Sequence, residues 1–148
     1  LTRQALPQQV RTAAQLADVA RGGYVLLDCS GPPEAIVVAT GSEIAPCVEA
    51  VRALQAAGRR VRLVSMPCVE VFEAQDAAWR NSVLPPAVTR RVAVEAGATQ
   101  SWWRQVGLAG RVLGIDRFGA SGKAADLFRH FGLTAEDVKR TVEDLFKG

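Results

Sequence analysis

Hydrophobic and polar positions along this chain change period several times, and each change predicts an element. From Thr12 to Arg21, Leu16, Val19 and Ala20 fall at helical spacing behind a hydroxyl able to cap the first turn, and Gly22-Gly23 ends the segment. Tyr24–Leu27 reads as a short apolar strand, closed by Asp28 and the turn residues Gly31-Pro32-Pro33. Ala35–Thr40, AIVVAT, is an uninterrupted apolar run rich in β-branched residues. It suits a strand covered on both faces, as in a parallel sheet. Ile44, Cys47, Val48, Val51 and Leu54 then recur every three or four residues and predict an amphipathic helix. Ser42 is placed to cap that helix, and Gly58 to end it in a left-handed conformation. Arg60–Met66 alternates basic and apolar residues, which predicts the next strand. Strand, helix and strand in this order form a βαβ unit, with parallel pairing and a right-handed crossover.

The second half continues the alternation. Glu70–Arg80 carries Val71, Phe72 and Trp79 and predicts one or two short helices, broken by Leu84-Pro85-Pro86. Arg91–Val94 is a further strand, Trp102, Trp103 and Val106 mark a turn of helix, and Val112–Ile115 is a last strand. Ala124–Phe131 and Thr134–Phe146 close the chain as helices; Val138, Val142 and Leu145 share a face of the second, behind the capping residues Thr134 and Asp137. Neither internal repeats nor a low-complexity linker interrupts the pattern. The chain is therefore expected to form one α/β layered domain with four or five strands.

Composition narrows the functional classes. A length of 148 residues sets one domain with one core. No apolar run reaches the ~18 residues of a membrane-spanning helix, so no membrane partner is expected. The net charge of +3 does not make a nucleic-acid surface: 15 acidic residues are interspersed among the basic ones, and no basic stripe with interleaved aromatics forms. Arg59, Arg60 and Arg62 are the densest basic cluster; beside Gly58 they read as cations complementing the negative end of a helix dipole. The 3 cysteines, Cys29, Cys47 and Cys68, are widely spaced without a CxxC pair, and the chain has 1 histidine. That pattern excludes a zinc-ligand motif and a disulfide framework and places the thiols in a reducing compartment.

Several local motifs suggest chemistry and then fail on inspection. Gly119-Ala120-Ser121-Gly122-Lys123 invites a phosphate-loop reading, but the spacing requires glycine at Arg117 and a hydroxyl at Ala124, and Asp116–Phe118 separates it from the strand. It is read as a structural turn. Gly41-Ser42-Glu43 lies between a strand and a helix, where α/β sheets often bind ligands, but Glu43 already supplies negative charge to the helix start. A tight turn with a cap is the expectation there. His130 has no nucleophile signature beside it and is expected to favour a helix C-terminus. Trp102-Trp103 is read as packing or interface material, and Glu95 as a strand-end residue without a partner carboxylate. A dinucleotide site is excluded by the absence of a GxGxxG turn.

TRQALPQ at Thr2–Gln8, ATGSE at Ala39–Glu43, VSMP at Val64–Pro67, SVLP at Ser82–Pro85 and RFGASGK at Arg117–Lys123 together resemble the C-terminal domain of transketolases. The resemblance runs from about Thr2 to Phe146. Related domains occur in deoxyxylulose-phosphate synthase and in the beta subunits of 2-oxo-acid dehydrogenases, but the TRQALPQ, SVLP and RFGASGK segments favour transketolase. The resemblance implies a three-layer α/β sandwich on a mostly parallel, five-stranded sheet whose first strand is antiparallel. It also implies residues 1–11 as a junction with a missing middle domain and residues 12–148 as one C-terminal domain. The start at Leu1, without an initiator Met, is read as the start of a piece of a longer chain.

The resemblance further implies a parent that is a cytoplasmic homodimer and transfers a two-carbon ketol unit between sugar phosphates. Its cofactors, thiamine diphosphate and a divalent metal (Mg or Ca), belong to the missing N-terminal and middle domains. This piece would hold no cofactor, no metal and no catalytic residue. Thr2-Arg3-Gln4 resembles the family's Ser-Arg-Gln, whose arginine helps hold the substrate phosphate, and Arg3 inherits that role. The chemistry suits it, because a guanidinium is permanently charged and presents paired donors to phosphate oxygens. The alternative is a free-standing interaction or regulatory domain of the same fold.

Overall fold

A computed structural model describes residues 5–147. Its strands are β1 (Tyr24–Leu27), β2 (Ala35–Ala39), β3 (Val61–Ser65), β4 (Arg91–Val94) and β5 (Arg111–Leu113). Its helices are α1 (Ala13–Asp18), α2 (Ile44–Ala56), α3 (Val69–Glu73), α4 (Ala77–Val83), α5 (Trp103–Val106), α6 (Ala124–Phe131) and α7 (Ala135–Asp144). The strands form a 5-stranded sheet in the order β1-β3-β2-β4-β5. All neighbours pair in parallel except β1, which runs antiparallel to β3 through a bulge between Val25 and Leu27.

Strand β2 explains why the sheet is covered twice. All of its side chains are buried, and they alternate between two cores. Ala35, Val37 and Ala39 face a layer that includes Cys47, Val51 and Leu54 of α2 and Val138 and Val142 of α7. Ile36 and Val38 face the other layer, with Phe72 of α3, Val83 of α4 and Val106 of α5. The result is a three-layer α/β/α sandwich. Each fully buried leucine in it, such as Leu54 or Leu63, contributes about 1.5–3 kcal/mol.

The helix ends show how local chemistry sets element lengths. Thr12 and Gln15 form a capping box on α1, as do Thr134 and Asp137 on α7. After α2, Gly58 adopts φ 84°, Arg59 N–H donates to Leu54 O at 3.0 Å and Gly58 N–H to Gln55 O at 2.9 Å, which is a Schellman closure. Two expectations require correction. Ser42 does not cap α2; its hydroxyl donates to Glu43 Oε1 at 2.7 Å, and a single turn of 3₁₀ helix over Gly41–Glu43 leads into α2 instead. The Arg59–Arg62 cluster does not serve the helix dipole either. Arg59 stacks on Phe146 at 4.5 Å, Arg60 pairs with Glu34 at 3.2 Å, and Arg62 grips both carboxylate oxygens of Asp28 while donating to Ser82 O and Val83 O at the end of α4. Tertiary packing sets these partners, bringing Phe146, Glu34 and Asp28 beside residues 59–62.

Helix α1 buries none of its residues, and Leu16 and Val19 stay exposed. It is held by polar contacts: the Gln15 side-chain amide donates to Val25 O at 3.0 Å and Leu26 O at 2.9 Å on the sheet edge. Gly22 then passes under α3 at φ 80°, where an added Cβ would lie 2.4 Å from Cys68 O and 2.5 Å from Phe72 N. Gly22→Ala is expected to destabilise the fold by about 2–4 kcal/mol, since the backbone conformation and the contact are both lost. Urea unfolding of variant and parent chains measures the difference.

Candidate functional site

In parallel sheets, ligand chemistry gathers at the carboxyl ends of the strands, where the strand order reverses direction. Here the chain leaves β2, pairs β3 on one side and later returns to pair β4 on the other, so the reversal falls between β2 and β4. The register Ala39↔Val94 aligns their carboxyl ends. The turn after β2 carries Glu43 and Glu95 follows the end of β4, so two carboxylates distant in sequence lie at the same edge of the sheet, near enough for the charge of Glu95 to bear on Glu43.

Glu43 is 3 % exposed. Burial pushes its carboxyl above the ordinary carboxylate value, and the charge of Glu95 pushes the same way, while the Ser42 hydroxyl and the N–H groups of Glu43 and Ala96 pull it down. Glu95 accepts a hydrogen bond from the Trp102 indole N–H. Glu95 thus follows the end of β4, with the Trp102 indole as its hydrogen-bond partner. Of the adjacent tryptophans, Trp102 is buried in the core and Trp103 is half exposed.

Beside Glu95 lies a crevice of about 490 Å³, lined by Thr40, Pro67, Glu70, Glu73 and Arg104 among others. Arg104 is paired with Glu73 at 2.9 Å, and buried Gln105 donates to the same carboxylate at 2.8 Å. Three carboxylates against one committed guanidinium make the crevice repel anions.

A second cleft, of about 440 Å³, lies over the ends of β2 and β3. Leu6, Pro7, Gln8 and Gln9 cross it as an extended strap, facing Thr40, Ser42, Ser65 and Pro67. Its cation, Arg11, is committed: Nε donates to the Tyr24 hydroxyl at 2.6 Å and a terminal nitrogen to Gln9 O at 2.9 Å. Arg3, the residue expected to contact a phosphate, lies outside the described residues, as do its neighbours Thr2 and Gln4.

The remaining candidates form no reactive constellation. His130 is exposed, with Nε2 3.3 Å from an Arg117 guanidinium nitrogen and its ring edge-on to Phe131. Burial raises the Cys47 thiol far above its ordinary value, with the Glu43 charge adding to the effect, and it raises Cys29 less. Neither is a ready nucleophile. The Gly119–Lys123 turn leads into α6 with Lys123 as the residue before its first turn, and no side chain there caps the helix. Among the described residues no three His, Cys, Asp or Glu side chains converge as an all-protein metal cage requires.

Residues 22–134 match the family described as "Transketolase-like TK C-terminal domain". The chain is 52% identical to transketolase 1 of Escherichia coli over 145 residues, which is 98% of this chain and 22% of that protein. A transketolase structure from Leishmania mexicana superposes with a TM-score of 0.81 at 39% identity, covering 89% of this chain and 19% of that one. A transketolase from Pichia stipitis, solved in complex with sedoheptulose 7-phosphate, superposes with a TM-score of 0.85 at 34% identity, covering 98% of this chain and 21% of that one. The chain thus spans about a fifth of the length of the curated relatives it matches.

Because the folded Glu43 carboxyl holds its proton to a higher pH than the unfolded one, its contribution to stability is complete in acid and is lost as pH rises through the raised value. Glu43→Gln, which keeps the acceptor and removes the charge, is expected to be more stable than the parent at pH 7.5. The advantage should shrink toward pH 4. Denaturant midpoints of the two proteins across that range check it.

Proposed function

This chain belongs to the transketolase family as a C-terminal domain, and we propose that it completes a longer thiamine-diphosphate-dependent enzyme transferring a two-carbon ketol unit between sugar phosphates. The observation that carries the reading is the likeness itself: it covers nearly all of this chain and only about a fifth of each relative. In the family, thiamine diphosphate supplies the carbanion chemistry, and other domains bind it with its divalent metal. The groups in this chain support a different part: they position, support and bind at the rim of the substrate channel.

Two features support that division. The crevice at the carboxyl edge carries Glu70, Glu73 and Glu95 and disfavours a sugar phosphate. The strap carries the chain back toward Arg3, whose guanidinium is matched to phosphate oxygens and takes the substrate phosphate in the assembled enzyme. The apolar wall of the strap cleft, with Leu6, Leu16 and Val19 exposed, is where the missing middle domain packs. Homodimerisation and a cytoplasmic setting complete the reading, which involves neither nucleic acid nor membrane; among the described residues no helix is long and apolar enough to cross a bilayer.

In the full-length enzyme, Arg3→Ala is expected to raise the KM for phosphorylated sugars and to cost about 2–4 kcal/mol of transition-state stabilisation, the loss expected when a bound charge is left unpaired. Steady-state kinetics with phosphorylated donors decide it, and unchanged constants would remove the role from Arg3. The 148-residue chain alone, supplied with thiamine diphosphate and magnesium, is expected to show no ketol transfer. Turnover above the blank would place catalytic groups within it.

A further inference from the structure

The acidic crevice holds more negative charge than its own cations answer. Glu70 and Glu73 come from α3, Glu95 follows β4, and Arg104 of α5 is the basic residue in the lining. The Arg104 guanidinium stands 2.9 Å from Glu73 Oε2, and its side chain is 74 % exposed, so it pairs from the solvent side. Glu70 accepts from the Cys68 thiol at 3.5 Å and Glu95 from the Trp102 indole N–H. Neither contact neutralises a charge. Three carboxylates and one guanidinium leave two negative charges without a cation among the described residues, an excess that concentrates cations from solution.

A buried amide points the same way. Gln105 is 5 % exposed, and its Nε2 donates to Glu73 Oε1 at 2.8 Å. A carboxylate accepts and cannot donate, so the amide must turn its nitrogen to Glu73. Gln105 Oε1 is left buried with no partner among the described residues. Buried acceptors are nearly always satisfied. The carboxylates lack a cation and the amide beside them lacks a donor; an ammonium group supplies both.

How the charges are spread sets the shape of the ligand. Among the described residues no three acids converge as an all-protein metal cage requires, so one compact ion does not answer all three carboxylates. The lining also holds Met66, Val69 and Trp102, apolar surface that suits methylenes better than a hydrated ion. A volume of about 490 Å³ is that of a small-molecule cleft. We propose that this crevice binds a small linear aliphatic diamine, its ammonium groups taken by Glu70, Glu73 and Glu95 and its methylenes lying along Met66, Val69 and Trp102. One ammonium reaches the contact between Glu73 and Gln105 and gives Oε1 the donor it lacks. Arg104 competes with the ligand for Glu73. Diamine binding uses none of the residues assigned above to the substrate phosphate.

Calorimetric titration of the intact native polypeptide with putrescine tests the site, with butylamine as the singly charged control. Putrescine is expected to bind saturably and about 5-fold tighter than butylamine or better, because its second charge finds a carboxylate of its own. Glu70→Gln and Glu73→Gln are each expected to weaken putrescine about 5-fold. Glu70 is exposed, so Glu70→Gln serves where Glu73→Gln, which disturbs Gln105, folds poorly. Arg104→Ala removes the competing cation and is expected to tighten putrescine about 3-fold. No saturable binding up to about 10 mM, or equal affinity for the two amines, would overturn the proposal. So would an affinity that Glu70→Gln leaves unchanged or that Arg104→Ala fails to raise, since the diamine would then sit elsewhere.

Discussion

A strand buried on both faces is the constraint from which the rest of this domain follows. β2 presents no side chain to water, so it requires apolar partners above and below and hydrogen-bonded strands on both sides. α2 and α7 meet one need, α3 to α5 the other, and β3 and β4 close the edges. Connecting β2 to β3 and later to β4 in parallel forces long crossovers and leaves the turns after β2 and β4 side by side. The acidic edge is thus a product of topology: the segments carrying Glu43 and Glu95 leave strands that pair in register.

Electrostatics then divides the carboxyl edge of the sheet into two regions. The crevice beside Glu95 is acidic, and its cation, Arg104, is already paired. The strap side has Arg11 bound to Tyr24, and the exposed apolar wall of Leu6, Leu16 and Val19. The division suits the proposed role, in which this domain supports an active site whose chemistry belongs to the rest of a longer enzyme.

Much of the fold was legible in the residue pattern because buried strands and amphipathic helices carry periodic signals. AIVVAT marks β2, the three-and-four spacing from Ile44 to Leu54 marks α2, and the Thr134–Asp137 box marks the start of α7. The antiparallel direction of β1 was not legible, because four residues of strand contain no directional information; family resemblance alone implied it. The partners of Arg59, Arg60 and Arg62 were also hidden, since Phe146, Glu34 and Asp28 are set by tertiary packing. So was the placement of Glu43 and Glu95 at one edge of the sheet. A signal was present all the same: each acid lies just past the end of a predicted parallel strand, where α/β sheets bring loops together. The clasp of Arg11 on Tyr24 had no local signature, because its two residues belong to segments predicted separately.

The central claim is that this chain acts as one part of a larger enzyme, and the mass of the native polypeptide in its source cell tests it most directly. The account predicts a product several times 15.8 kDa that co-fractionates with thiamine-dependent ketol transfer. A native product of about 15.8 kDa without that activity would contradict it and make this a free-standing domain defined by its binding partners.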